Sequence, residues 1–180
     1  MSTETLERLW ELTDRLAGER PGQEDLGYAI LEPIGLILEK PPVHYNYDET
    51  PLNTTCFAHT GGDSVHFSFL HVDGQVSDDS PIVMTVPECE SPNLIVGANL
   101  IEFLRLGCRA GYFHLDGLTD NLDETIGRIE AAEEQFDQLD ESSQNLFDAL
   151  CLEFGLFPWH DIETRLRELQ SQYRGLLQFA

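Results

Sequence analysis

Apolar and polar positions are patterned most clearly between Thr55 and Leu106. Val65, Phe67 and Phe69 recur at period two, which predicts one face of a strand ending near Val72, with His66 and Ser68 on the other face. Thr60-Gly61-Gly62-Asp63 predicts the preceding turn, because glycine tolerates positive φ and an aspartate can hydrogen-bond the turning backbone. Asp73-Gly74 closes the strand with a second turn pair. Ile82 to Val86 is a nearly continuous apolar run, the pattern of a strand covered on both sides. Pro87 and Pro92 bracket a loop, and Leu94-Ile95-Val96 predicts a short third strand. Gly97 permits a turn into a helix whose buried side is Leu100, Phe103, Leu104 and Leu106, with Gly107 as its stop.

Before this stretch, residues 3 to 17 predict an amphipathic helix through Leu6, Leu9, Leu12 and Leu16, with Trp10 as a core anchor. Ser2 or Thr3 is its cap, and Gly18 and Pro21-Gly22 end it. Pro33 would interrupt either a helix or a central strand, so a helix or extended stretch is expected before it and a short buried strand after it. The loop from Pro41 to Pro51 carries Tyr45, Tyr47 and Asp48 and is expected to pack on the sheet; partner contact is the alternative. Arg109 to Leu118 predicts a short helix. Three longer helices follow. The first carries Leu122, Ile126, Ile129, Phe136 and Leu139 on one side behind an Asp120 or Asn121 cap. The second starts at Ser142-Ser143 and is stopped by Gly155 and Pro158; the third is capped by Asp161. The fold expected is α+β: a central mixed or antiparallel sheet flanked by helices over residues 1–118, and a helical C-terminal extension over 119–180 packed on it as a single globular unit.

The order FAHTGGD, strand, polar turn, SPIVMTVP, NLIVGANLIEFLRL resembles the SUKH superfamily. The turn Gly61-Gly62-Asp63, the strand start Pro81-Ile82-Val83 and the helical Glu102-Phe103-Leu104 carry the resemblance, which covers about the middle third of the chain. It implies an α+β interaction module with no shared catalytic residue set. Many such domains look like immunity proteins that neutralise secreted toxins, often nucleases, in bacterial cells; others act as intracellular regulators.

Charge sharpens the picture. A net charge of -23 repels nucleic acid and anionic membranes and attracts basic partners. No apolar run approaches the roughly 18 residues of a membrane span, and the N-terminus lacks the basic and apolar regions of a secretion signal. Cys56, Cys89, Cys108 and Cys151 lie far apart with no C-x-x-C, so reduced thiols in a cytoplasmic protein are expected rather than a zinc framework.

Catalytic signals are weak throughout. His66 and His71 have opposite strand parity, so His59, His66, His71 and Asp63 do not converge on a metal, and no cofactor is expected. Ser68 shares a face with His66, yet one strand supplies no activating triad. Gly61-Gly62-Asp63 lacks the lysine of a phosphate loop. Glu130/Glu134 and Asp137/Glu141 form like-charge pairs at i, i+4 on the predicted helix, each mildly unfavourable, and Arg128 is the only Lys or Arg between Thr119 and Glu163. This stripe reads either as the solvated face of an acidic protein or as a surface for a basic ligand. The candidate partner-binding residues are therefore Asp63, His66, Ser68, Glu130, Glu134, Asp137 and Glu141. The expected function is a non-catalytic protein–protein interaction module, an immunity protein neutralising a basic nuclease-type toxin. The alternatives are a cytoplasmic regulator binding a small ligand in a sheet pocket and, least supported, a metal-assisted hydrolase.

Overall fold

The structure, a computed structural model, describes residues 3–20, 22, 26–87 and 89–180. The proposed cap Ser2 and stop Pro21 lie outside the described residues. Helix α1 (Glu4–Gly18) opens on Thr3, whose hydroxyl accepts the Leu6 N–H at 3.1 Å. Its Leu6, Leu9 and Leu12 are buried, as the three-and-four spacing requires. Around Pro33 the chain makes neither a long helix nor a strand. It forms two single 3-10 turns, Gly27–Ala29 and Glu32–Ile34, with Pro33 in the second.

Five strands follow: β1 (Ile37–Val43), β2 (Thr54–His59), β3 (His66–Leu70), β4 (Ile82–Thr85) and β5 (Asn93–Gly97). They form one antiparallel sheet in chain order, since each connects to the next by a turn or loop on the same edge. β1 runs through Pro41-Pro42, which an edge strand tolerates because one row of its N–H groups has no partner strand. A bulge between Cys56 and Ala58 turns the Phe57 ring toward Phe69 (4.7 Å between centroids) and Phe103 (5.7 Å). The turn before β3 puts Gly61 at φ 121° and Ser64 at φ 64°, so serine takes the second left-handed position and Gly62 does not. Asp73 and Gly74 are both left-handed, the mirror-image hairpin geometry their sequence implies.

Helix α2 (Leu100–Gly107) is capped by Asn99, whose side chain accepts the Glu102 N–H at 2.8 Å. A side chain at position 97 would lie 2.7 Å from the Phe103 nitrogen, so only glycine lets α2 start this close to β5. Phe103 then packs at a tilt against Phe67 and Tyr112, with centroids at 4.7 and 5.2 Å.

Residues 113–118 form a 3-10 helix. Helices α3 (Leu122–Gln135), α4 (Glu141–Phe154) and α5 (Ile162–Tyr173) complete the fold, giving the expected α+β architecture with C-terminal helices. Leu146, Phe147, Leu150, Leu166 and Leu169 belong to the same hydrophobic cluster as the sheet and α1, so one core crosses the 118/119 boundary. α5 also covers the free edge of the sheet: the Gln170 amide accepts the Ile95 N–H at 2.9 Å and donates to the Ile95 carbonyl at 2.8 Å, as another strand would. Glu102 holds α5 from the other side. Its carboxylate takes both Arg165 Nε (2.8 Å) and Nη2 (3.1 Å), plus the Ala98 N–H at 2.6 Å. Burial pushes the Glu102 carboxyl up, and these donors more than offset it, leaving it below its ordinary value. Among the described residues no helix is long and apolar enough to cross a membrane.

Candidate functional site

The sequence pointed to two surfaces, and the structure treats them differently. On the first, alternation holds: Phe67 and Phe69 face the aromatic core, while His66 and Ser68 point the other way beside Thr85, Cys56 and Val83 of the neighbouring strands. The opposite face is nevertheless not open. His66 is 0% exposed and Ser68 1%, so neither can touch a partner, which corrects their assignment as partner-binding residues. The reason is the loop after β1. Tyr45 and Tyr47 lie on the His66 ring, at 4.9 and 5.7 Å, and Thr50 closes over it. The aromatic loop packs on the sheet as expected, and that packing removes the candidate site.

The histidine is held neutral there. The Ser64 carbonyl can only accept, so His66 Nδ1 carries the proton and donates to it at 2.9 Å. Nε2 then accepts the Thr50 hydroxyl at 3.1 Å. Burial lowers its pKa, and the nearby His59 and His44 act in the same direction, although the Ser64 contact opposes. Next to it, the Tyr45 hydroxyl donates to Glu39, and Cys56 donates to the Ala58 carbonyl at 3.3 Å. Burial, then the Glu39 charge, pushes the Cys56 thiol up to about 12, which favours its protonated form. Among the described residues the Ser68 hydroxyl has no hydrogen-bond partner. His59 faces Glu39 and His71 faces Thr55, and no three His, Cys, Asp or Glu side chains among the described residues gather as a metal site. Asp63 is exposed, but its carboxylate is used at home: it accepts the Thr60 hydroxyl at 2.5 Å and the Val65 N–H at 3.3 Å. It builds the turn.

The second surface is open. Glu130 and Glu134 lie on α3, Asp137 in a 3-10 turn (Phe136–Gln138), and Glu141 in the first turn of α4; all four are exposed. The expected continuous helix through Glu141 is corrected. The chain breaks at Leu139, Asp140 becomes an N-cap accepting the Ser143 N–H at 3.0 Å, and Asp137/Glu141 are not an i, i+4 helical pair. Asp140, which sequence reasoning passed over, is the stronger stop because its side chain offers the next helix a cap.

The cations nearby are already engaged. Arg109 pairs with Glu133 and Asp148, at 3.2 Å each, and lies 4.4 Å over the Phe136 ring. Arg128 pairs with Glu124 at 3.4 Å. None of Glu130, Glu134, Asp137 and Glu141 is in an ion pair among the described residues. The surface is thus a negative field with its local positive charge spent inward. A cleft of about 250 Å³ opens beside it, lined by Arg109, Glu130, Glu133, Trp159, His160 and Asp161. A second of about 400 Å³ lies against the C-terminal tail, lined by Asp48, Glu49, Asn93, Arg174, Leu177 and Phe179. Neither His66 nor Ser68 lines either cleft. Comparison with known proteins returns no matching family model, no matching curated protein and no matching solved structure.

Proposed function

We propose that the protein is a non-catalytic binding module for a basic protein partner, of the immunity kind that masks a nuclease-type toxin. The observation that carries this reading is the uncompensated acidic surface of α3, its 3-10 extension and the start of α4. Such a field speeds encounter with a cationic surface and disfavours acidic competitors. The resemblance to the SUKH superfamily supports the same class of function.

The test uses a partner retained from the native cell by immobilised wild-type protein. Glu130→Lys with Glu134→Lys should leave folding within about 0.5 kcal/mol, since both side chains are exposed. Association should slow several-fold and lose part of its salt dependence, because steering charges act on the on-rate. Glu11→Lys with Glu19→Lys on and after α1 changes net charge equally and is the control. Equal losses in both pairs would mean that general acidity suffices. No loss in either would refute electrostatic recognition.

A further inference from the structure

Beyond α5, residues 176–179 lie against the body of the protein as a peptide lies in a groove. Asn53, the residue before β2, grips their backbone with both ends of its side-chain amide. Its Oδ1 accepts the Gln178 N–H and its Nδ2 donates to the Leu176 carbonyl, each at 3.0 Å. The Leu52 N–H donates to the Gln178 carbonyl at 2.7 Å. These groups are fixed from behind: the Asn53 carbonyl accepts the His71 N–H at 2.9 Å, and the Thr54 hydroxyl donates to the Pro51 carbonyl at 2.7 Å. All three contacts go to the backbone of the segment, so they select an extended chain and not a sequence. Its side chains alternate as on a strand. Leu177 and Phe179 line the cleft of about 400 Å³ that holds Asp48, Glu49 and Glu90, while Leu176 and Gln178 line one of about 270 Å³ beside His71 and Asp73. The occupant matches these clefts poorly. Leu176 is 43% exposed and Phe179 53%, and none of the four side chains carries a charge. Arg174 is the only Lys or Arg among the described residues lining the two clefts. None of Asp48, Glu49, Asp73 and Glu90 is in an ion pair among the described residues.

We propose that this groove is a binding site for an extended basic segment of a protein partner, filled in the free protein by the chain's own residues 176–179. The basic character of the occupant rests on the function proposed above, and the groove adds a second place where such a partner is held. The incoming backbone takes over the two Asn53 contacts and the Leu52 N–H one for one, so the exchange leaves no polar group of the groove unmet. Its lysine or arginine side chains then reach the unpaired carboxylates: Asp48, Glu49 and Glu90 on one side of the groove, Asp73 on the other. The resident segment lowers the apparent affinity for the partner by the fraction of molecules in which it occupies the groove.

The experiment titrates the full chain with a fluorescein-labelled octapeptide of alternating lysine and leucine, and with the same peptide carrying glutamate for lysine, read by fluorescence anisotropy at about 0.15 M salt, where exposed charges are screened within about 8 Å. The lysine peptide should bind and the glutamate peptide should not. Gln178→Pro removes the N–H that Asn53 accepts, loosens the resident segment and should tighten the lysine peptide about fivefold. Asn53→Ala is measured in the Gln178→Pro chain, because in the wild type it weakens segment and peptide alike; there it should cost about tenfold, for two lost hydrogen bonds. Glu130→Lys with Glu134→Lys should change the peptide's affinity less than twofold. Unchanged affinity in Gln178→Pro, or equal binding of the glutamate peptide, would overturn the proposal. If the groove variants are silent and the α3 reversal weakens the peptide, the groove proposal fails and the acidic α3 surface stands. If the groove variants act and the α3 reversal does not, the groove stands whatever the α3 test with the captured partner gives. Gln178→Pro alters the occupant and no residue of the groove, so a misfolded Asn53→Ala leaves the proposal open to refutation.

Discussion

Ser68 and His66 sit two residues apart on β3, and each is a polar group inside a packed interior. Among the described residues the Ser68 hydroxyl, between Cys56 and Val83, has no partner, and a buried unsatisfied polar group costs about 1–3 kcal/mol. Ser68→Ala removes that cost along with one small atom. Stability should stay level or rise by about 1 kcal/mol, read as an unchanged or higher urea midpoint. A loss of that size would show that the hydroxyl is engaged. His66 links stability to pH. Its pKa falls below 6.5 on folding, chiefly through burial, so the unfolded chain takes up the proton first as pH drops. The unfolded state then binds more protons, and stability rises with pH in this window and is lost as pH falls through 6.5. The urea midpoint should therefore fall from about pH 7.5 to about pH 5.5, and fall less in His66→Asn. His71, lowered by its own burial and by His44, contributes with the same sign and leaves a residual slope in that variant. An equal slope in both proteins would place the titration elsewhere.

Among the elements, α2 and α3 differ in how firmly they are held, and amphipathic pattern alone hides the difference. α2 buries Leu100, Phe103, Leu104 and Leu106 against the sheet. α3 buries only Thr125, with Ile126 and Ile129 half-covered and Leu122 exposed. Phe103→Ala should thus cost about 3–5 kcal/mol, and Ile126→Ala about 1 kcal/mol or less, in chemical denaturation. Comparable losses would mean that α3 is as integral to the core as α2. The looser helix is also the one that carries Glu130 and Glu134. Removing an apolar anchor there would disturb the acidic surface before it disturbed the sheet.

At the scale of the molecule, the charge of -23 is unevenly opposed. Arginines in contact with the body of the protein join its parts: Arg8 and Arg15 bind Glu153, tying α1 to α4, and Arg165 binds Glu102, tying α5 to α2. The Arg8 and Arg15 pairs, the more exposed, contribute little apiece, whereas the bidentate Arg165–Glu102 pair is more covered. Their consequence is that few cations remain to neutralise the C-terminal helices. Self-repulsion there is tolerated because one hydrophobic cluster spans α1, the sheet, α4 and α5.

What the sequence determined by itself was local. Period two located β3, apolar runs located β4 and β5, the Asp73-Gly74 pair located a hairpin, and Thr3 and Asp161 cap the helices they precede, while Asn121 holds the N-cap position of α3 without a side-chain cap bond. These features rest on neighbouring residues, whose spacing is visible in the chain. Exposure was not local. The pattern that put His66 and Ser68 opposite Phe67 was right about the face, but whether that face met water depended on a loop about twenty residues earlier folding back over it. The same holds for Arg109 with Asp148, Gln170 with Ile95, and Cys108 with Cys151. Each is a contact between segments far apart in the chain, and only the packing of the helices against the sheet brings them within bonding distance.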